Sequence, residues 1–159
     1  MVALAFTAPF LVPSNALRNF FDRQAVRAAI ALYILVVMVV YWALLASIHN
    51  PVGLSAVANV GLHLIVPIIY ILDWVLFAAK DKMSFKDIPF WILYPISYGI
   101  YTIIRGAITG TYPYPFLNVT ELGTAQVFVN MLGFTAFYAL GAAAFIALGR
   151  RLGRSKDPA

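Results

Sequence analysis

Long runs of apolar residues, separated by short polar segments, dominate this chain. A helix needs about 20 apolar residues to cross the hydrocarbon core of a bilayer, and four stretches meet this length. The predicted spans are residues 26–48, 57–78, 88–106 and 124–149. The pattern therefore predicts an all-α integral membrane protein, a bundle of four transmembrane helices that forms a single domain over residues 1–159.

The composition agrees with a membrane protein. Of 159 residues, 63% are hydrophobic and 11% are charged, whereas soluble domains contain about 25% charged residues. There is no cysteine, which excludes disulfides, thiolate metal sites and a cysteine nucleophile. The net charge of +5 lies at the ends of the apolar segments. We therefore expect membrane lipids, and no nucleic acid, as partners.

The basic residues alternate between the connections. Lysines and arginines occur before residue 28, in the loop 79–87 and after residue 149, whereas the loops 49–56 and 107–123 contain none. Cytoplasmic loops are enriched in Lys and Arg. Both termini and the loop 79–87 are therefore predicted to be cytoplasmic, and the other two loops are predicted to face outwards.

A short apolar segment, residues 2–12, precedes the first basic cluster. About 11 residues are too few to span a bilayer, and the segment lacks the basic start of a signal peptide. One interpretation is an interfacial or disordered end. The other is the last half of a helix that begins before this chain.

A polar stripe runs along the second predicted span. At about 100° per residue, Asn59, His63, Tyr70 and Asp73 fall within an arc of about 80°, with Trp74 at its edge. Ionisable groups are costly inside a membrane, so the stripe is expected to face other helices and to mark a site. His63 and Asp73 are about 15 Å apart along the axis, so these two residues cannot form a hydrogen bond within one helix.

His63 is the first candidate for a catalytic residue. Pro67, four residues later, cannot donate a hydrogen bond to the His63 carbonyl and is expected to kink the helix there. A free carbonyl and a kink beside a histidine suit a pocket. The alternative is a structural, hydrogen-bonded histidine. For Asp73 we favour a structural bond to a neighbouring helix or to Trp74.

The third predicted span carries a second stripe. Tyr94, Tyr98, Tyr101 and Arg105 fall within about 60° of one another. For the tyrosines we favour a place in the core, and the alternative is a role in a site. Arg105 keeps its charge, so it either binds an anionic group of a substrate or extends to the outer surface. Asn130, on the outer side of the fourth span, is a further candidate for substrate binding.

The second outward-facing loop, residues 107–123, is called the outer loop below. This loop and the remaining motifs add few candidate catalytic groups. Asn118 or Thr120 is placed to cap the fourth helix, with Glu121 near its positive end. One histidine in the spans and no cysteine disfavour haem and zinc sites. No nucleotide-binding or serine-hydrolase motif occurs in the chain. No cofactor and no metal are predicted.

Several sequence elements, in this order, resemble a known family. They are Leu62-His63-Leu64-Ile65-Val66-Pro67, Leu72-Asp73-Trp74, Tyr94-Pro95, Tyr101-Thr102, Arg105-Gly106 and Tyr112-Pro113-Tyr114-Pro115-Phe116-Leu117. Together they resemble the bacterial Pr-six-Pr family of integral membrane proteins, over about residues 25–150. That family is distantly similar to the eukaryotic androgen-induced membrane proteins. The resemblance implies a bacterial inner-membrane protein.

The resemblance also implies an activity. The androgen-induced relatives hydrolyse fatty acid esters of hydroxy fatty acids and are thought to use a threonine nucleophile and a histidine, and His63 matches that histidine. Their threonine lies in a Phe-Thr segment of an earlier helix. Thr7 follows Phe6, but residues 4–9 resemble the end of the family's second helix, past that threonine. The resemblance to a six-span family therefore implies that one span, most of a second and the nucleophile are missing.

Three hypotheses follow. In the first, the protein is a membrane-embedded hydrolase of fatty acid esters in which His63 is the general base, and Arg105, Asn59, Asn130 and Tyr70 bind the substrate. In the second, it is a non-enzymatic module that binds a lipid or a partner through the same residues. In the third, His63 and Asp73 line a proton or solute pathway, which four spans form only as an oligomer.

Overall fold

The computed structural model describes residue 7, residues 16–80 and residues 82–154. The described part of the chain is helical and contains no strand. Its elements are α1 (Ala16–Phe21), α2 (Gln24–Leu45), α3 (Leu54–Phe77), α4 (Ile88–Thr109) and α5 (Val119–Arg154), with short 3-10 turns at Phe85–Asp87 and Pro115–Leu117. The apolar segment 2–12 lies outside the described residues, apart from Thr7.

Three of these helices are long and apolar enough to cross a membrane. They are α2, α3 and α5. Helix α4 has 22 residues, about 33 Å at 1.5 Å per residue, so its length suffices. It carries tyrosines, two prolines and Arg105, and it is not among the helices that qualify as spans on hydropathy.

The helix boundaries differ from the predicted ones by a few residues. The first span was expected to reach residue 48, but α2 ends at Leu45 and a turn follows it. Helix α3 begins directly after Gly53, where the chain changes direction with a positive φ of 60°. In α5, Gly123 has a non-helical φ of 76°. The predicted fourth span, 124–149, therefore begins directly after a real break.

The described residues form two compact units. The first combines the chain up to Ser84 with the chain from Phe145 onward, and the second is Phe85–Ala144. In the first unit α2 packs along α3. Residues Ala28 to Leu32 are all buried, and small side chains at three of these five positions permit close helix approach.

The connection after α3 is held at several points of the first unit. The Lys82 amide donates to Gln24 Oε1 at 2.9 Å, and Arg150 Nε donates to the Met83 carbonyl at 3.2 Å. Lys80 is buried, and its ammonium group donates to the carbonyls of Val75 at 3.0 Å and Ala78 at 2.5 Å. A cation at a helix C-terminus stabilises the last carbonyls, so Lys80 caps α3.

In the second unit, the predicted cap of the fourth helix is confirmed. Asn118 Oδ1 accepts hydrogen bonds from the Thr120 and Glu121 amides at 3.1 and 3.3 Å. Helix α4 ends at Thr109, and the next residue, Gly110, has a φ of 70°. The Tyr112 ring lies so close to Gly106 that a Cβ atom there would overlap it. The glycine therefore allows the outer loop to fold against α4.

The interpretation of the tyrosine stripe as core is wrong. Tyr94 and Tyr98 are each 44% exposed and Tyr101 is 58% exposed. The side of α4 that is buried in this chain instead carries Trp91, Gly99, Thr102 and Gly106. The periodicity located the tyrosine face correctly, but periodicity alone does not decide which face of a helix is covered.

A histidine site between two π-helical turns

Two π-helical turns interrupt the first unit's helices. One is Tyr41–Leu45 at the end of α2, where the Ala46 amide donates to the Tyr41 carbonyl at 2.8 Å. The other is Gly61–Ile65 inside α3, where the Val66 amide donates to the Gly61 carbonyl. Each bond spans five residues instead of four. Such turns are rare and frequently occur at functional sites.

The His63 ring is held on two sides. Its Nδ1 is 3.1 Å from the Asn59 carbonyl oxygen. The ring also stacks on Tyr41, with centroids 3.9 Å apart and planes inclined by 20°. A carbonyl oxygen only accepts, so this geometry fits the tautomer with hydrogen on Nδ1. Nε2 is then an acceptor, and it has no hydrogen-bond partner in the part of the chain that the structure describes.

Trp42 satisfies the carbonyl that Pro67 leaves free. Its Nε1 donates to the His63 carbonyl oxygen at 3.0 Å. Proline has no amide hydrogen, so the helix cannot supply that donor itself. The expectation of a free carbonyl at His63 is therefore confirmed only within the helix. The His63 carbonyl has no donor in α3, but the indole of Trp42 in α2 donates to it. This bond ties the two π-helical turns together at the histidine.

Asn59 completes the polar part of the site. Its side chain is only 9% exposed, and its Oδ1 atom is buried without a hydrogen-bond partner among the described residues. The neighbouring residues Val57 and Val60 are exposed, so Asn59 lies on the covered side of α3. Buried polar atoms nearly always have a partner, which makes this oxygen an exception that needs an explanation.

His49 lies on the other side of Tyr41. The Tyr41 hydroxyl and His49 Nδ1 are 3.4 Å apart, and the two rings meet edge to face. Tyr41 is buried and His49 is exposed. Tyr41 therefore contacts both histidines of the chain, one by stacking and one through its hydroxyl.

The far end of the polar stripe forms a separate structural pair. Asp73 Oδ2 is 2.6 Å from Arg27 Nη2 of α2, so a neighbouring helix does supply its partner, whereas Trp74 does not. Trp74 is 1% exposed, and its Nε1 has no partner among the described residues. Tyr70 is also buried. The stripe thus has a histidine site at one end and an ion pair at the other.

The two remaining candidates belong to the second unit. The Arg105 side chain is exposed and forms no ion pair within the described part of the chain. Asn130 is already engaged, since its Nδ2 donates to the Phe116 carbonyl at 2.8 Å and its Oδ1 accepts from Gln126 at 3.0 Å. Asn130 therefore anchors the outer loop to α5, which is a structural contact that the sequence did not predict.

A tyrosine pair holds the same loop. The hydroxyls of Tyr98 and Tyr114 are 3.2 Å apart, and Phe116 packs on both Tyr114 and Phe134. Burial raises the pKa of Tyr114 well above its ordinary value, and the bond to Tyr98 raises it further. The phenol therefore stays protonated at any physiological pH and acts as a structural hydrogen-bonding group.

Among the described residues, no group of three His, Cys, Asp or Glu side chains is placed to hold a metal ion. The comparisons with known proteins add no assignment: no family model matches the chain, and no curated protein or solved structure matches it either. The site therefore has to be interpreted from its own geometry.

Sequence reasoning missed the residues that surround His63. Tyr41, Trp42 and His49 lie on α2 or just after it, and no pattern marked them as neighbours of α3. One signal was present. Pro67 releases a carbonyl, a released carbonyl in an apolar setting needs a donor, and Trp42 is an indole donor near the predicted outer end of the adjacent span. Arg27 could have been found as the partner of Asp73 in a similar way, because the two residues are predicted to lie at the same depth in the membrane.

Proposed function

We propose that this chain is an integral membrane protein whose His63 site acts on lipid esters, with His63 as general base. The observation that carries the proposal is the geometry of the imidazole. A base needs a fixed ring, a defined tautomer and an unoccupied acceptor nitrogen. The Tyr41 stack, the bond to the Asn59 carbonyl and an Nε2 that bonds to none of the described residues supply these three conditions.

The proposed reaction proceeds through a covalent intermediate. A threonine hydroxyl attacks the ester carbonyl, His63 Nε2 accepts its proton and returns it to the leaving alcohol oxygen. Water then attacks the acyl-threonine, His63 takes a proton from that water, and the free acid leaves as the proton returns to the threonine oxygen. In line with the resemblance to the Pr-six-Pr family, we place this threonine on a helix that precedes the region matched here.

The proposed setting is a bacterial inner membrane crossed by four helices with cytoplasmic termini. Three apolar helices and the alternation of basic loops support this topology. Helix α4 is included because its 22 residues suffice in length and because Tyr and Trp side chains suit the membrane interface. His63 then lies near the outer surface.

A non-enzymatic lipid-binding module is the second candidate. The observation that favours it is the partner list of His63: no serine or threonine hydroxyl bonds to this residue within the described part of the chain. Such a module would retain a lipid on purification without converting it. Native mass spectrometry of the purified protein would show a bound lipid whose ester stays intact.

Ester turnover by matched histidine variants tests the proposal. Wild type, His63→Ala and His49→Ala are each produced as a full-length protein that includes the threonine-bearing helix, purified in detergent and assayed on a fatty acid ester of a hydroxy fatty acid. His49→Ala is the comparison because it removes the other histidine, which is exposed and contacts the Tyr41 hydroxyl. Loss of general base catalysis lowers rates by about 100-fold or more. We expect that loss in His63→Ala alone; equal turnover by wild type and His63→Ala contradicts the proposal.

A further inference from the structure

We infer that Asn59 and His63 together form a binding site for a hydrogen-bond donor of the ligand, and that the ligand is a lipid with a free hydroxyl group. The inference rests on the proposed function only in taking this site as a lipid site. It adds a selection rule among lipids, namely that a hydroxyl-bearing lipid binds better than one that offers acceptors alone.

The first observation is the buried oxygen of Asn59. The side chain is 9% exposed, and Oδ1 has no partner in the described residues. An amide oxygen accepts hydrogen bonds and cannot donate them. An ester carbonyl or a carboxylate therefore leaves this atom unpaired, whereas a hydroxyl satisfies it.

The second observation is Nε2 of His63, which has no hydrogen-bond partner within the ranges 16–80 and 82–154. With Nδ1 engaged by the Asn59 carbonyl, Nε2 is also an acceptor. The 3.1 Å contact between His63 Nδ1 and the Asn59 carbonyl oxygen places the two residues next to each other on α3. Two acceptors at neighbouring positions suit a ligand with two donors, and a glycerol head group with two free hydroxyls is such a ligand.

The third observation is the surroundings of this pair. Tyr41, buried, stacks on the imidazole, and Trp42 closes on the His63 carbonyl. The aromatic side chains fix the histidine but leave Nε2 and Asn59 Oδ1 without donors. A site that is built to bind a hydroxyl rejects an analogue that lacks it, because its own polar atoms then stay unpaired.

Two ether lipids test the inference without any hydrolysis. The probe is 1-O-hexadecylglycerol, which has two hydroxyls and no ester, and its partner is the 2,3-di-O-methyl derivative, which keeps the oxygens but has no donor. Binding is followed through Trp42 emission in a Trp74→Phe, Trp91→Phe background, since Trp42 contacts the His63 backbone. We expect the diol to bind at least about 10-fold more tightly than the dimethyl ether.

Variants then assign that preference to Asn59. Asn59→Leu is expected to bind both ethers equally, because the change removes the acceptor oxygen. Asn19→Leu is the matched control, because Asn19 is exposed on α1. Equal binding of the two ethers by the wild type overturns the inference, since it means that water alone, or an amide turned the other way, satisfies the site.

This outcome is independent of the proposed activity. If the diol preference is present and depends on Asn59 but no ester is hydrolysed, the binding inference stands and the hydrolase proposal fails. If esters are hydrolysed with dependence on His63 but the two ethers bind equally, the hydrolase proposal stands and the donor site is wrong.

Discussion

At the residue scale, a single indole explains how α3 accommodates a proline inside its apolar stretch. Pro67 removes the hydrogen bond to His63, and Trp42 replaces it from another helix at 3.0 Å. The sequence predicted that the His63 carbonyl would have no hydrogen-bond donor within its own helix, because the effect of a proline on its helix is local. It did not predict the donor, because the choice of Trp42 depends on how α2 and α3 lie side by side.

Trp42→Phe tests this replacement. The change keeps an aromatic ring but removes the N–H group, so the His63 carbonyl loses its donor. We expect a loss of about 1 kcal/mol in the free energy of unfolding, measured by thermal or denaturant unfolding in detergent. Phe77→Leu, at an exposed aromatic of the same unit, is the control and should change little. A Trp42→Phe protein as stable as the wild type would show that the bond contributes nothing.

The Arg27–Asp73 pair is the second prediction at this scale. Both side chains are about one third exposed, and they are bonded at 2.6 Å. Removing one partner leaves the other charge without its bond, so Arg27→Gln and Asp73→Asn should each destabilise by about 1–3 kcal/mol. The double variant should lose less than the sum of the two. Strict additivity in this double-mutant cycle would mean that the pair does not stabilise the fold.

At the element scale, the two π-helical turns are the feature that the apolar pattern could not reveal. Hydrophobic periodicity predicted helices over both regions, and both are helical. A π-helical turn adds one residue to a turn and barely disturbs the pattern. These turns set which side chains of α2 and α3 meet, so the pairing of Tyr41 with His63 was beyond a helix-by-helix prediction.

Pro67→Ala probes the turn that carries His63. Alanine restores an amide hydrogen and removes the proline ring, so α3 is free to return to regular α-helical bonding. We expect the variant to be more stable than the wild type. The Trp42 emission should shift in wavelength, because the indole loses its acceptor. Ester turnover should fall, because the imidazole moves. Unchanged emission and unchanged turnover would show that Pro67 does not set the geometry.

Two glycines test the packing of the outer loop on α4. A Cβ atom at Gly106 overlaps the Tyr112 ring, whereas at Gly133 it meets no atom within 4 Å. Gly106→Ala should therefore destabilise by about 1–3 kcal/mol, and Gly133→Ala, in the middle of α5, should be neutral or slightly stabilising. The comparison uses thermal unfolding of both variants in the same detergent. Equal stability of the two variants would contradict the close approach of Tyr112.

At the scale of the whole molecule, composition and charge predicted more of the structural class than any motif did. They predicted a helical membrane protein, and the three apolar helices agree with that class. The span predicted over 88–106 stays a prediction, because α4 is not among the three helices that are apolar enough to cross a membrane. The two compact units were not predicted from the sequence, since no linker composition separates them. The single-domain organisation stays a prediction.

The functional proposals all depend on one claim, that α3 crosses the membrane with Asn59 and His63 near the outer surface. Because the chain has no cysteine, single cysteines can be introduced and labelled without background. Val52 is 81% exposed before α3, and Lys82 and Thr111 are exposed after α3 and α4. Each is replaced by cysteine, and intact spheroplasts are treated with a membrane-impermeant maleimide.

We expect Val52→Cys and Thr111→Cys to be labelled in intact spheroplasts and Lys82→Cys only after permeabilisation. Labelling of positions 82 and 111 from the same side would show that α4 does not cross. Labelling of positions 52 and 82 from the same side would show that α3 does not cross, and would contradict the account of the histidine site.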